Sequence, residues 1–250
     1  MNPAGKTAFV TGGAARVGRA ISLALAEAGA HVVVHYHRSA SAAQETVAAA
    51  RQSGVEALAV QADLADPDAV RRLIQAICEQ RGTVDILVHS ASPFIRGSLA
   101  DTSLATWRQV MGVLVESFFL LTQGLAPGMI ARGEGAIVAM LDRGTFDPWP
   151  NFFAHGVGKS AIWAMVRSLA VKLAPQVRVN GIVPGPVLPP PGYTEKQRAE
   201  IAAGTLLGRW GDPGDVAAAV QFLVRADYVT GEALFVDGGE RWAHRRPRTR

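Results

Sequence analysis

Cysteine is almost missing: one residue, Cys78, in a chain of 250. No disulfide can form within the chain, and a reducing cytoplasm is the expected compartment. In an apparent helix, Cys78 reads as a small core residue. Charge is sparse at 18% of residues while hydrophobic residues make up 49%, a balance that excludes intrinsic disorder. No run approaches the ~20 apolar residues of a membrane span. Met1 to Lys6 lack the basic-then-apolar pattern of a secretory leader. No His, Cys and Asp cluster has metal-ligand spacing, so no metal is expected. The net charge of +4 does not mark a nucleic-acid surface. Residues 240–250 hold five arginines against one acid, Glu240, and the rest of the chain carries 20 basic and 20 acidic residues. The body is neutral, and residues 241–250 are expected to be a solvated basic tail, an anionic partner or an oligomer contact being the alternatives. Tyrosine is scarce as well: none lies between Tyr36 and Tyr193.

Apolar β-rich runs alternate with longer Ala-rich stretches. Thr7–Thr11, His31–His35, Ala57–Gln61, Val84–His89, Ala136–Leu141, Val177–Val183 and Ala233–Val236 read as strands. Val17–Ala28, Pro67–Gln80 and Pro213–Val224 space their apolar residues at helical intervals. Strands apolar on both faces, separated by helices, predict a single α/β domain: a doubly wound parallel sheet of about seven strands, helices on both faces. The domain is expected to span residues 1–240. Pro184–Tyr193, with five prolines and two glycines, follows the sixth strand where such sheets bind ligands, so a substrate loop is placed at about 184–205.

The first strand runs into Thr11-Gly12-Gly13-Ala14-Ala15-Arg16-Val17-Gly18 and then a helix. Glycines there let the backbone approach a pyrophosphate at a helix N-terminus. This turn resembles the TGxxxGxG of short-chain dehydrogenases/reductases, with Arg16 at the middle glycine, as in the pteridine reductase and dihydromonapterin reductase branch. The resemblance extends to Tyr228-Val229-Thr230-Gly231 and Asp237-Gly238-Gly239 and implies a Rossmann-type fold. Gly12, Val17 and Gly18 would shape the pyrophosphate turn.

An NAD-specific pocket places Asp or Glu at the end of the second strand, against the ribose 2′-hydroxyl. Here the residues are His35-Tyr36-His37-Arg38-Ser39, with no acid. Arg16, His37, Arg38 and Ser39 suit a 2′-phosphate, since guanidinium binds phosphate through a fork of donors. NADPH is the expected cofactor, a plain solvated Arg38 the alternative. By resemblance, Asp63-Leu64 would contact adenine, Ser90, Ala91 and Ser92 would line the cofactor, and Pro184-Gly185 would lie beside the nicotinamide.

The family pairs a proton-donating tyrosine with a lysine four residues on. Lys159 falls on the lysine, and the residue four before it is His155. The serine position falls on Asp142, the variant of the pteridine reductase branch. The asparagine of the proton relay aligns with Leu114, which implies a broken relay. An imidazolium is a competent acid near neutral pH, but its reach is shorter than a phenol's. Three readings stand: His155 donates the proton; Asp142 or water donates it; or hydride chemistry is lost and the chain is a non-redox enzyme or an NADPH-binding sensor or scaffold.

On the substrate side, His89-Ser90-Ala91-Ser92-Pro93-Phe94 resembles pteridine reductases, where the aromatic stacks a flat heterocycle; a core role for Phe94 is the alternative. His89 reads as cofactor-side or structural. Trp149, Phe152 and Phe153 would wall the pocket or, by preference, meet another subunit. The resemblance implies a homotetramer or homodimer acting on a small planar C=N or C=O substrate, with no nucleic-acid or membrane partner.

Overall fold

The computed structural model describes residues 1–190 and 192–245. Seven parallel strands stand in the order β3-β2-β1-β4-β5-β6-β7. They are β1 Thr7–Thr11, β2 His31–Tyr36, β3 Ala57–Gln61, β4 Ile86–His89, β5 Gly135–Met140, β6 Val177–Pro184 and β7 Ala233–Val236. The order reverses between β1 and β4, which opens a crevice at the strands' C-terminal ends. Alternate residues feed two cores. Phe9, Leu87, Ile137 and Val179 point to one side, whereas Ala8, Val10, Val88 and Val138 point to the other.

Helices α1 (Arg16–Glu27), α2 (Ala40–Arg51) and α8 (Pro213–Arg225) cover the second side; α3 (Pro67–Arg81), α4 (Leu104–Met111), α5 (Ser117–Arg132) and α6 (Phe153–Leu173) cover the first. Asp66 and Asp212 cap α3 and α8, each followed by proline at the first helical position. In the segment after β6, α7 (Glu195–Ala203) opens on a Thr194–Gln197 capping box but buries none of its residues.

A single turn of π-helix, Gly112–Glu116, joins α4 to α5. The continuous helix Leu104–Arg132 is, against the sequence expectation, long and apolar enough to cross a membrane, with a mean hydropathy of 1.5 over its window. Half of that window is buried inside this domain, where Val110, Leu114, Phe118 and Leu121 join the first core. Its hydrophobicity serves the sheet.

One further expectation is corrected. Cys78 is exposed: α3 buries Val70, Leu73 and Ile77, and one further residue of helical rotation turns position 78 outward. The tail is also ordered in its first half, because Glu240–Arg245 forms a 3-10 helix. The Arg241 guanidinium lies 3.7 Å from the Phe235 ring centre, and Glu240 accepts from Arg143 at 3.0 Å, so cation–π attraction and an ion pair fold it back. Arg246, Arg248 and Arg250 lie outside the described residues.

Candidate active site

The turn between β1 and α1 is shaped by close approach. Gly12 has φ +64°, and a Cβ there would meet Ala91 Cα at 3.0 Å; a Cβ on Gly18 would stand 2.1 Å from the Gly12 carbonyl oxygen. The N-cap residue Ala15 makes no side-chain cap, and no acid occupies the first turn of α1. An uncapped helix N-terminus behind a glycine cradle suits an anion.

Thr11 Oγ1 accepts from the backbone N–H groups of Ser90 and Ala91, at 2.9 and 3.0 Å, so the loop after β4 is hung on β1. Ser92 is exposed. His35 supports the turn from beneath: the Gly12 N–H donates to Nδ1 at 3.0 Å, and Nε2 faces the Ala62 carbonyl at 3.1 Å. An acceptor role at Nδ1 and a donor role at Nε2 fix the neutral tautomer. Burial pushes this histidine down to about 4.

His37, Arg38 and Ser39 are all exposed at the end of β2. His37 Nε2 stands 3.8 Å from an Asp63 carboxylate oxygen. Leu64 is 4% exposed, its side chain in the core. Arg16 adopts φ +53°, alone among the described non-glycine residues. Its guanidinium donates to the Leu188 carbonyl at 3.2 Å, which ties the phosphate turn to the loop after β6 rather than to His37–Ser39. Gly185 abuts Asp237, where a Cβ would lie 2.6 Å from that residue's Cα. The Gly185 N–H donates to the Val236 carbonyl at 2.9 Å.

The structure brings Asp142, His155 and Lys159 together. Asp142 follows β5, and its Oδ1 accepts from the Thr145 N–H at 3.1 Å; Oδ2 faces His155 Nε2 in a very short contact. His155 Nδ1 faces the Pro93 carbonyl at 3.2 Å. That carbonyl only accepts, so Nδ1 is the donor in that contact, and Nε2 is the ring nitrogen turned to the carboxyl group. Burial works against charge on Asp142, but the hydrogen bond from His155 and the charges of Lys159 and His155 outweigh it, holding the carboxyl below its usual range. Lys159 is 3% exposed and donates to the Met140 carbonyl at 2.6 Å. Burial pushes it down to about 8, partly offset by Asp142.

Leu114 lies in the π-turn, fully buried, and a Cβ on Gly158 would come within 2.7 Å of its Cδ1. Apolar packing therefore fills the position where the resemblance has an asparagine. Phe94 is 56% exposed, not a core residue. It stacks on Phe152 at 4.2 Å and meets His155 edge-on at 4.9 Å, with Trp149 at 6.2 Å. These aromatics wall the histidine, whereas Phe153 packs on Trp107. No metal-binding group of three His, Cys, Asp or Glu occurs among the described residues.

The family model described as enoyl-(acyl carrier protein) reductase matches residues 12–240. Dehydrogenase/reductase SDR family member 4 of Sus scrofa is 33% identical over 243 residues, covering 94% of this chain and 86% of that protein. FolM alternative dihydrofolate reductase 1 from Brucella canis, complexed with NADP, matches with a TM-score of 0.91 at 29% identity, over 100% of this chain and 99% of that one. A blue fluorescent protein from a metagenomic library, in complex with NADPH, matches with a TM-score of 0.87 at 33% identity, over 96% and 99%. The chain belongs to the short-chain dehydrogenase/reductase family, whose members are NAD(P)-dependent oxidoreductases. The sequence had left His35 without a task; only its burial beneath Gly12 identifies one.

Proposed function

We propose that this chain is an NADPH-dependent reductase of a planar, conjugated C=N or C=O substrate, a pterin being the first to test, with its proton supplied by Asp142 and His155. The observation that carries the reading is the close, buried contact of His155 Nε2 with Asp142 Oδ2, beside Lys159 at the end of β5. The name and bound NADP of the Brucella relative support the pterin class and the phosphorylated cofactor.

When bound, NADPH supplies the hydride. Gly12, Val17 and Gly18 would take the pyrophosphate and Asp63 and Leu64 the adenine; His37, Arg38 and Ser39 would take the 2′-phosphate, joined by Arg16 once its guanidinium leaves the Leu188 carbonyl. Ser90, Ala91, Ser92, Pro184 and Gly185 flank the nicotinamide end, and Lys159 holds the ribose. As the substrate carbon gains a hydride, the C=N or C=O π electrons move to the heteroatom, which takes the proton. His155 is the inner member of the couple at 2% side-chain exposure and Asp142 the outer at 13%. His155 therefore stores the proton and Asp142 hands it over. The couple is left as neutral imidazole and carboxylate, balanced by the Lys159 ammonium until solvent restores the proton. Phe94 and Phe152 offer the flat ring a stacking face. Residues 184–205 act as the substrate loop, and the exposed apolar Val157 and Val171 of α6 support assembly through that helix.

A second reading, an NADPH-binding sensor without turnover, draws on one feature: both ring nitrogens of His155 are engaged, so neither is free for substrate. Protein and NADPH mixed in turn with dihydropterins, quinones and imines discriminate the two. The reductase consumes reduced-nicotinamide absorbance with at least one of them. Tight NADPH binding with no oxidation by any member of the panel contradicts it.

A further inference from the structure

His89, at the end of β4, is a buried titratable group with no part in the chemistry above. It pairs in register with Thr11 of β1 and Ala139 of β5, one residue from the Met140 carbonyl that accepts from Lys159. It is 1% exposed, and the Phe118 ring covers it at 5.0 Å. Ser117 Oγ donates its hydrogen to the Val113 carbonyl at 2.6 Å. Towards His89 Nε2, at 3.0 Å, the hydroxyl can then only accept. The ring hydrogen is thereby placed on Nε2, leaving a lone pair on Nδ1.

Nδ1 is buried and has no hydrogen-bond partner among the described residues. Buried polar atoms in native folds are nearly always satisfied, so this acceptor asks for a donor. The Lys159 ammonium has three hydrogens and commits one to Met140. His89 packs on Phe118 of the first core and lies within reach of the Lys159 charge, and Leu114 of the same core contributes no polar atom. Burial, and then the Lys159 charge, push His89 down to about 3, so the ring is neutral and available as an acceptor.

We propose that a single bridging water links His89 Nδ1, as acceptor, to the Lys159 ammonium, and that His89 is the positioning residue for this lysine. The inference deepens the reading above, in which Lys159 holds the cofactor ribose. One lysine hydrogen goes to Met140 and one to the bridging water, which aims the third at the crevice. The charged groups acting on this pair are Asp142 beyond β5, which acts on Lys159 and is itself bonded to His155 one turn earlier on α6, and His35, which acts on His89 from β2.

The apoprotein tests this without turnover. It has six histidines and four lysines, Lys6, Lys159, Lys172 and Lys196, few enough to assign individually by NMR. The His89 Nδ1 nitrogen shift should be that of a hydrogen-bonded acceptor and should move as Lys159 titrates. In His89→Leu the Lys159 titration should fall by about one pH unit, and NADPH should bind roughly tenfold more weakly. His89→Asn, whose side-chain oxygen can occupy the Nδ1 position, should restore both. A bare-lone-pair shift in the wild-type protein overturns the proposal, as does an unchanged Lys159 titration in folded His89→Leu. Should His89→Leu not fold, the wild-type nitrogen shift decides alone. Failure of every reductase assay with this coupling intact would sink the proposed reaction and leave the contact standing.

Discussion

Asp142 and His155, thirteen residues apart, meet side chain to side chain at the end of β5, while the second ring nitrogen of His155 faces the Pro93 carbonyl. The contact joins the segment after β5, the first turn of α6 and the loop after β4. Three separate elements must dock before the pair forms, so it reports on the native fold as well as on the proposed chemistry.

Cofactor choice rests on the missing carboxylate at the end of β2. Arg38→Ala should weaken NADPH binding by roughly ten- to a hundredfold, the loss of one or two charge-assisted hydrogen bonds. NADH binding should change little. Calorimetric titration of both nucleotides checks this, and an equal loss for each would show that Arg38 does not meet the 2′-phosphate.

Acid should destabilise the protein through its buried histidines. Burial depresses His35 from 6.5 to about 4, so the unfolded chain binds the extra proton between those values. Stability is full above about 6.5 and declines as pH falls toward 4. Replacing His35 by Gln should flatten this limb in urea unfolding and loosen the Gly12 turn. A limb that survives the substitution unchanged would assign it to other groups.

Lys159 gives a second limb of the same sign in the alkaline range. Its ammonium is pushed from 10.5 to about 8, so the unfolded chain holds more protons between those values and stability rises with pH there. Below about 8 the buried charge costs on the order of 3 kcal/mol. Lys159→Met should remove that rise and raise the melting temperature at pH 7 while abolishing turnover. A lower melting temperature at pH 7 would contradict the assignment.

Packing around the π-turn is tight enough to measure. Gly158→Ala should destabilise by about 1–3 kcal/mol through overpacking against Leu114. Leu114→Ala, costly alone, should relieve that term in the double variant. A double-mutant cycle with no coupling would mean that the two side chains do not meet.

Much of the sheet was legible because its signal is local. Thr7–Thr11, Ala57–Gln61 and Ala233–Val236 stand where alternation and apolar runs place them. The site was legible where chemistry is carried by residue type and spacing, as at Asp142, His155 and Lys159. It was not legible where partners come from afar. Nothing in the sequence reveals that His35 meets Gly12, that Arg16 turns to Leu188, or that Trp149 and Phe152 gather on Phe94. Cys78 failed differently, since one residue of helical phase decides exposure, and the stacking of the exposed Arg241 on Phe235 is a distant contact that the basic run does not disclose.

The proton couple is tested most directly by single-turnover oxidation of NADPH with a dihydropterin, comparing wild type with Asp142→Asn. The carboxamide should lower the rate by roughly 10²–10⁴-fold, the range of general acid catalysis, and leave NADPH affinity within about twofold. Equal rates in the two proteins would contradict the account, because the acid would then lie elsewhere.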